Sequence, residues 1–288
     1  MKTYSLSSAL FAPDREQDLM WDSPQVFESV AAAGFTETEI VAEGDEWKEP
    51  GTHDADRIRK GLEKSGVRPR TIHTPMSGIN LTSTVEEIRK DSIARIADSM
   101  RLMGELGGDT AIVHPTGWPG PGEPAASLEN MGLATEIAHR SVCELIPVAE
   151  NTGVRIALEN LPAAGIPSRP LTSMQELRAF IAGFPSDHVG LCLDTGHACI
   201  SGFDPADQAR VASERLMALH LQDVDGERDC HWIPGQGVIN WSEFGAALEA
   251  IQFNGARTFE ITNGEDTARK AAENCRAICE RWQKEGIS

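Results

Sequence analysis

The strongest constraint on the fold of this chain is a repeated alternation between two hydrophobic patterns. Eight short apolar runs, typical of buried β-strands, alternate with longer segments in which apolar residues recur every three to four positions, as on one face of a helix. Helical segments reach the next run after a few residues, whereas long polar loops follow several runs, as at 115–129 and 160–172. A closed parallel barrel has this asymmetry, because its strand-to-helix loops form the active site. We therefore predict an α/β fold in which residues 1–288 form a single (β/α)8 TIM barrel domain.

The same patterns give the expected elements. Strands are predicted at 4–11, 37–41, 71–74, 110–114, 155–159, 190–194, 217–221 and 258–262. Helices are predicted at 24–33, 55–64, 85–106, 132–151, 173–182, 205–215, 241–251 and 267–284. Capping boxes that begin at Ser83 and Thr172, and a cap at Asn240, support three of the helix starts. An open doubly wound sheet is the alternative fold, and the lack of a GxGxxG motif after the first run argues against it.

The composition of the chain limits its partners. Lys and Arg number 26 against 44 Asp and Glu, which gives a net charge of -18, and such a surface repels polyanions. We therefore expect no nucleic-acid partner. No apolar run has the length of a membrane span and the first residues lack the pattern of a secretory signal, so no membrane partner is expected. The six cysteines are scattered without a CxxC pair, which indicates reduced thiols and a cytoplasmic location.

Groups that can bind metal or transfer protons occur at the ends of six consecutive predicted strands. From the third strand to the eighth, these residues are His73, His114, Glu159, Asp194, His220 and Glu260. Each of them alone has a simpler explanation, since a carboxylate can cap the next helix and a histidine that closes an apolar run is often a core residue. Closure of a barrel would bring all six ends onto one rim. We therefore predict a shared functional site at that rim.

The seventh predicted strand leads into the segment with the highest density of such groups, residues 216–237. After the apolar run come His220, Asp223, Asp229 and His231, and then the turn PGQG. A polar surface loop with incidental histidines is the alternative interpretation. Cys230 is not expected to be a ligand, because it would point away from the face that its two neighbours share.

Carboxylates gathered on one rim predict a bound cation. Without one, they would repel each other and lose their hydration. The carboxylates of Glu159, Asp194 and Glu260, with the imidazole of His220, form a mainly hard set of donors. This set suits one divalent ion, with Mn²⁺ expected first, Mg²⁺ and Co²⁺ as alternatives and Zn²⁺ as a further one. An octahedral ion would keep two positions for substrate oxygens.

The ordered motifs HTP, HPTGW, LENLP, LDTGH, HLQDVDGERDCHWIPGQG and FEI resemble those of a known family. They are similar to the xylose-isomerase-like barrel proteins, which include sugar phosphate isomerases and epimerases and share their fold with endonuclease IV. The resemblance runs from the third predicted strand to the C-terminus. By likeness to ketose 3-epimerases, it implies that Glu159, Asp194, His220 and Glu260 bind the metal, with the two glutamates as the acid/base pair. It also implies that His197 contacts the substrate and that the chain forms a homodimer or homotetramer.

This resemblance implies proton transfer on a small sugar through an enediolate. Glu159 and Glu260, on opposite sides of a keto-sugar, would remove and return the proton, which makes the protein an epimerase. Return of the proton to the neighbouring carbon would make it an isomerase, and loss of hydroxide would make it an inosose-type dehydratase. We expect a substrate without phosphate, because acidic residues follow the last strand. The predicted substrate contacts are His73, His114, His197, Asp229, His231 and Trp118.

Two other functions are consistent with these residues. Endonuclease IV enzymes bind three zinc ions through nine ligands, and the nine candidates here are His73, His114, Glu159, Asp194, His197, His220, Asp229, His231 and Glu260. A nuclease for abasic DNA needs basic loops at the strand ends, yet the loop after the second strand holds Glu43, Asp45, Glu46 and Glu49 against Lys48. A barrel that binds without catalysis is the second alternative. The complete ligand set argues against it.

Overall fold

Eight parallel strands close into a barrel in which each strand pairs with the next along the chain and the eighth pairs with the first. The computed structural model describes residues 2–11, 22–117, 131–162, 169–262, 264, 267–285 and 287. The strands are β1 (Ser5–Ser7), β2 (Glu37–Val41), β3 (Arg68–His73), β4 (Thr110–Val113), β5 (Arg155–Glu159), β6 (Val189–Asp194), β7 (Leu216–Leu221) and β8 (Ala256–Phe259). The predicted TIM barrel fold is therefore confirmed.

Helices surround the barrel and cover the outward faces of the strands. Those in the described ranges are α1 (Pro24–Ala32), α2 (Ala55–Ser65), α3 (Glu86–Glu105), α4 (Met131–Thr152), α5 (Met174–Phe180), α6 (Thr195–Ile200), α7 (Pro205–Ala212), α8 (Trp241–Ala250) and α9 (Ala268–Glu285). Short 3-10 helices occur at Ser8–Phe11, Asp45–Trp47, Ile181–Gly183 and Ser213–Arg215. Within these ranges, every helix is too short or too polar to cross a lipid bilayer.

The barrel interior contains a small apolar layer that is separate from the main core between strands and helices. This layer consists of Ile112, Ala157, Cys192, Met217, Ala218 and Ala256. Side chains two positions apart on a strand point to the same face. Glu159 therefore points into the barrel directly above Ala157, and His220 lies in the same way above Ala218. The polar strand-end side chains thus form the next interior layer, which lies directly on the apolar one.

Three predicted strands differ from the observed ones by three or more residues at one end. The third was expected over residues 71–74, but β3 begins at Arg68. The first was expected over residues 4–11, but β1 ends at Ser7 and the chain turns into the 3-10 helix Ser8–Phe11. An apolar run does not distinguish a strand from the tight helix that follows it. The eighth was expected over 258–262, but the pairing of β8 with β7 ends at Phe259. Glu260 is therefore the first residue beyond β8.

The predicted capping boxes also need correction. The box at Ser83 is wrong, because α3 begins at Glu86 after Val85, and the Ser83 hydroxyl accepts a hydrogen bond from the Val85 N–H instead. The box at Thr172 is wrong by one position. Ser173 caps α5, and Glu176 completes the box. The cap at Asn240 is confirmed, since its side chain accepts the Glu243 N–H.

Candidate active site

Four side chains from the carboxyl ends of neighbouring strands meet inside the rim of the barrel. Glu159 ends β5, Asp194 ends β6, His220 lies on β7 and Glu260 follows β8. One potential ligand atom from each lies within 4.8 Å of those from the other three. We call this group the four-ligand cluster. It forms because parallel strands in a closed barrel direct the same end toward one centre.

Glu159 is almost completely enclosed, with 1% of its side chain exposed. Its Oε1 lies 3.3 Å from Nδ1 of His197 and 3.3 Å from Nδ1 of His220. Its Oε2 lies 3.5 Å from Nε2 of His73 and 3.4 Å from Nε2 of His114. Burial alone would favour the protonated acid, but the charge of His220 and the contacts with the other imidazoles outweigh it and hold the pKa of Glu159 well below its usual value. The group is therefore a carboxylate at neutral pH.

Neither oxygen of Glu159 has a hydrogen-bond partner among the described residues. Nearby N–H groups are engaged elsewhere: Nδ1 of His197 contacts the Asn160 carbonyl at 3.0 Å, and Nδ1 of His73 contacts the Thr74 carbonyl at 2.9 Å. A buried carboxylate without hydrogen bonds is costly unless a cation compensates its charge.

Asp194 is held rigidly by its own neighbours. Its backbone N–H and C=O bond the side-chain amide of Asn160, and its carboxylate accepts from the Gln222 amide at 3.0 and 3.2 Å. It also caps α6, a helix that the sequence patterns did not predict, by accepting the His197 N–H at 2.7 Å. Burial and the nearby carboxylates raise the pKa of Asp194 to about 6. This residue is therefore fixed in position before any ligand binds.

His220 contacts both glutamates of the cluster. Its Nδ1 lies 3.0 Å from Oε2 of Glu260 and 3.3 Å from Oε1 of Glu159, and the ring is fully buried. Burial opposes protonation of this ring, but the surrounding carboxylates raise the pKa of His220 well above its usual value. Burial likewise opposes ionisation of Glu260, but the charge of His220 lowers the pKa of Glu260 to about 2. The glutamates differ in access to solvent, since 15% of the Glu260 side chain is exposed.

A second group, the His–Asp–His cluster, lies beside the first and consists of His197, Asp229 and His231. The Asp229 carboxylate lies 3.2 Å from Nε2 of His197 and 3.4 Å from Nε2 of His231. Although burial favours the acid, these two imidazoles lower the pKa of Asp229. His231 has a left-handed backbone with φ of 49°, and its Nδ1 contacts the Glu260 carbonyl at 2.9 Å. This strained conformation directs Nε2 of His231 toward the site.

A third group joins His73 and His114 to Glu159. The two rings meet edge to face with centroids 4.9 Å apart. Burial opposes protonation of both rings, but its balance with Glu159 differs between them. The pKa of His73 is raised to about 9, whereas that of His114 is lowered. His114 is therefore neutral at physiological pH and can act as a ligand or as a hydrogen-bond partner.

Two residues that the sequence patterns singled out are not among the side chains described in the site. Trp118 lies outside the described residues. Asp223 does not belong to the site: its carboxylate accepts from the N–H groups of Gly235 and Ile239 and from Nε1 of Trp241, at 2.7, 3.2 and 2.9 Å. It fixes the loop that carries Asp229 and His231.

Three buried residues of the site were missed by the sequence patterns. Asn160 orients Asp194 and His197, and Gln222 bonds both Asp194 and Asp229. Asn160 directly follows Glu159, and Gln222 lies two positions after His220. Their closeness to predicted site residues was therefore a signal from which they could have been found. Glu39, in the middle of β2, contacts His220. Its only signal was a charge inside a buried strand.

The donor set of the four-ligand cluster fits a divalent metal ion. Three carboxylates and one imidazole are available, the two oxygens of Glu159 and Nδ1 of His220 lack hydrogen-bond partners among the described residues, and the ligand atoms are close together. Mn²⁺, Mg²⁺ and Co²⁺ accept such mixed oxygen and nitrogen sets. The two adjoining groups are richer in imidazole, which suits Zn²⁺ better.

Comparison with known proteins gives a consistent result. A family model described as xylose isomerase-like TIM barrel matches residues 27–280. An uncharacterised protein of Methanocaldococcus jannaschii is 27% identical over 92% of this chain and 86% of its own length. A probable endonuclease 4 of Chloroflexus aurantiacus is 26% identical over 82% and 86%. A D-psicose 3-epimerase of Ruminiclostridium cellulolyticum is 28% identical over 85% and 80%.

Solved structures share the fold over the whole chain. A D-tagatose 3-epimerase-like protein has a TM-score of 0.81 with 22% identity and covers 100% of both chains. A D-psicose 3-epimerase crystallised in the presence of D-fructose has a TM-score of 0.78 with 19% identity and covers 98% of this chain and 99% of its own. Sequence relatives thus include both a D-psicose 3-epimerase and a probable endonuclease 4.

Proposed function

The chain belongs to the xylose isomerase-like TIM barrel family, and on that premise we propose that it is a divalent-metal-dependent sugar epimerase or isomerase. Its substrate would be an unphosphorylated ketose or a related keto-sugar. The observation that carries the proposal is the four-ligand cluster, in which one potential ligand atom from each residue lies within 4.8 Å of the other three and both glutamates face Nδ1 of His220.

Glu159, Asp194, His220 and Glu260 would hold one ion, with Mn²⁺ as the first choice because three of the four donors are carboxylates. When bound, the ion would polarise the substrate carbonyl and so lower the barrier to loss of the neighbouring proton. The hydrogen bonds that fix Asp194 exist independently of the ion. The site would therefore need little rearrangement for binding.

Glu159 and Glu260 would transfer the proton. Glu159 is ionised and has no hydrogen bond among the described residues, so it can accept the proton from the carbon next to the carbonyl, which leaves the enediolate of the sugar. Glu260 would return a proton to the opposite face. Its partly exposed carboxylate can take that proton from solvent, which the enclosed Glu159 cannot do as readily.

The remaining predicted contacts would bind sugar hydroxyls. His73, His114, His197, Asp229 and His231 line the same rim and offer both donors and acceptors. A phosphate is not expected, since the cation closest to the His–Asp–His cluster along the chain, Arg228, is paired with Asp225 at 2.7 Å. Return of the proton to the same carbon would give an epimer, return to its neighbour an isomer, and loss of hydroxide a dehydrated product.

A second candidate function, a tri-zinc phosphodiesterase of the endonuclease 4 type, is favoured by one observation. The nine residues expected for three zinc ions all lie in adjoining groups of close metal-ligating atoms here. Surface charge argues against it: in the acidic loop after β2, Lys48 is paired with Asp45 and the Glu46 carboxylate with Arg57. Metal counted per chain separates the two, because one ion favours the sugar enzyme and three favour the nuclease.

The proposal is tested on the purified protein after chelation and reloading with Mn²⁺. We expect conversion of at least one member of a panel of unphosphorylated ketoses, lost with the chelator and regained with the ion. An abasic-site DNA duplex is assayed in parallel with zinc-loaded protein and with the Glu159→Gln variant. Incision that depends on Glu159, without ketose conversion, would establish the second candidate instead. We further propose that the protein is cytoplasmic and that it forms a homodimer or a homotetramer. Sedimentation analysis tests the oligomeric state.

A further inference from the structure

Glu39, a buried carboxylate outside the metal-ligand groups, contacts the His220 imidazole at the nitrogen that does not face the other members of the four-ligand cluster. Glu39 lies in β2 and His220 in β7, which β8 and β1 separate around the barrel. Oε2 of Glu39 lies 3.1 Å from Nε2 of His220, and both side chains are fully buried. Glu39 is in none of the groups of close metal-ligating atoms found among the described residues. Its carboxylate therefore contacts the imidazole and not the centre of the site.

The position of Glu39 is fixed by the neighbouring strand. The register between β2 and β3 shifts after Thr38, so that Glu39 lies opposite Thr71. The buried Thr71 hydroxyl donates to the same Oε2 at 2.8 Å. A carboxylate at this point in a barrel interior is expensive to bury, and one hydrogen bond from a hydroxyl does not offset that cost. The contact with His220 gives the carboxylate a second, charge-compatible partner.

The two nitrogens of the His220 ring have different surroundings. Nε2 faces Glu39, whereas Nδ1 faces Oε1 of Glu159 and Oε2 of Glu260, at 3.3 and 3.0 Å. When the ring is neutral, as metal binding requires, an acceptor at Nε2 keeps the remaining ring proton there, and this leaves the lone pair of Nδ1 directed at the cluster. A ring turned by 180° would lose the Glu39 contact. The carboxylate thus selects both the orientation and the tautomer that a metal ligand requires.

We propose that Glu39 is a positioning residue that fixes His220 for metal binding through a carboxylate–imidazole hydrogen bond. The inference rests on the metal site of the proposed function but not on the reaction. In metal sites, carboxylates in this position orient the imidazole and increase its basicity, and their loss typically weakens metal binding about 10- to 100-fold.

The experiment measures Co²⁺ binding to the full chain by titration, and the absorption spectrum of the bound ion, without any substrate. Glu39→Gln keeps the shape and one acceptor oxygen but removes the charge, and Glu39→Leu removes both. We expect the Kd to rise in the order wild type, Gln, Leu, by about 10-fold and about 100-fold. The spectrum should change in both variants, because the orientation of a ligand changes. Glu37→Gln is the matched control, since Glu37 is a buried carboxylate of the same strand that pairs with Arg68.

A purely structural role for Glu39 would give a different result. The thermal unfolding temperature of the metal-free variants would then fall, while the Kd for Co²⁺ and the absorption spectrum of the folded fraction would stay at wild-type values. That result would overturn the inference. If the Glu39→Leu variant does not fold, a wild-type Kd and a wild-type spectrum in Glu39→Gln would overturn it as well. Wild-type protein that binds Co²⁺ but converts no ketose would refute the proposed reaction and leave this inference standing. Wild-type protein that binds no metal would refute both.

Discussion

The carboxylate of Glu260, one residue beyond β8, lies 3.0 Å from the fully buried imidazole of His220 on β7. This contact joins the closed interior of the barrel to its open end, because Glu260 is partly exposed while His220 and Glu159 behind it are not. A sugar bound at the rim would meet one acid/base group on the solvent side and one on the interior side.

Replacement of either glutamate should nearly abolish turnover. Glu159→Gln and Glu260→Gln keep the shape of the side chain but remove the group that accepts or returns the proton. Loss of such a group costs about 10²- to 10⁴-fold in kcat. Steady-state kinetics on the best ketose of the panel measures this loss. Glu150→Gln, an exposed carboxamide substitution on α4, is the control and should retain the wild-type kcat. A kcat within a factor of about two of wild type in both site variants would exclude the glutamates as the acid/base pair.

The metal-free protein should lose stability as the pH rises from about 6.5 to 9. Contact with carboxylates raises the pKa of His73 and His231 from 6.5 to about 9 against the opposing effect of burial. A histidine with a raised pKa contributes stability fully below its unfolded value and loses that contribution as the pH passes its folded value. Urea unfolding at a series of pH values in the presence of a chelator measures the decline.

A flat profile over this range would contradict the charged arrangement of the metal-free site. The control is His231→Gln, which cannot gain a proton. Its profile should be less steep than that of the wild type over the same interval, because only the contribution of His231 has been removed.

Metal binding at neutral pH should release protons. Burial disfavours the charged ring of His220, but nearby carboxylates raise its pKa well above the usual value, so the ring is protonated in the metal-free protein. An imidazole must be neutral to bind a metal ion, and about one proton per ion should therefore leave. Calorimetric titration with Mn²⁺ in two buffers of different ionisation enthalpy gives the number directly. An observed enthalpy that is the same in both buffers would show that no imidazole becomes neutral on binding.

Removal of the Gln222 amide should weaken the coupling between the two clusters. This amide donates to Asp194 and to Asp229, and its Oε1 accepts the His231 N–H at 3.0 Å. Gln222→Leu leaves Oδ2 of the buried Asp194 without a donor, which should lower the free energy of unfolding by on the order of 2 kcal/mol. It should also weaken Mn²⁺ binding, as expected for a residue that orients a ligand.

Gln208→Leu is the matched control for that variant. Gln208 is a buried glutamine outside the site whose Oε1 accepts the Met174 N–H at 2.7 Å. Its loss should lower stability without a change in the Kd for Mn²⁺. Equal Kd values for the two variants would show that Gln222 serves only the packing of the barrel.

The sequence was sufficient to predict the convergence of the site but not its supporting contacts. Strand alternation predicted a closed barrel, and closure brings Glu159, Asp194 and His220 to one rim regardless of their separation in the chain. The contact of Glu39 with His220 could not be predicted, because it depends on the register shift after Thr38 and on a path across the barrel. Such contacts are set by register and closure together, and hydrophobic periodicity reports neither.

Boundaries were predicted less accurately than the elements themselves. The apolar residues around Glu260 read as a strand to residue 262, yet pairing with β7 ends at Phe259. Pairing partners decide where a strand ends, and they are not visible in a local pattern. The cap of α5 was also predicted one residue too early. Ser173 caps the helix and not the adjacent Thr172, because Glu176, which completes the box, lies three residues after Ser173.

The central claim, that this barrel removes a proton from a keto-sugar, is tested most directly by hydrogen exchange with solvent. The Mn²⁺-loaded protein is incubated in D₂O with each ketose of the panel, and NMR follows the hydrogen on the carbon next to the carbonyl. We predict loss of that hydrogen for at least one ketose, abolished by a chelator and by Glu159→Gln, with deuterium on the same carbon in an epimer and on the neighbouring carbon in an isomer. Retention of the original hydrogen in every ketose by a protein that binds Mn²⁺ would contradict the claim.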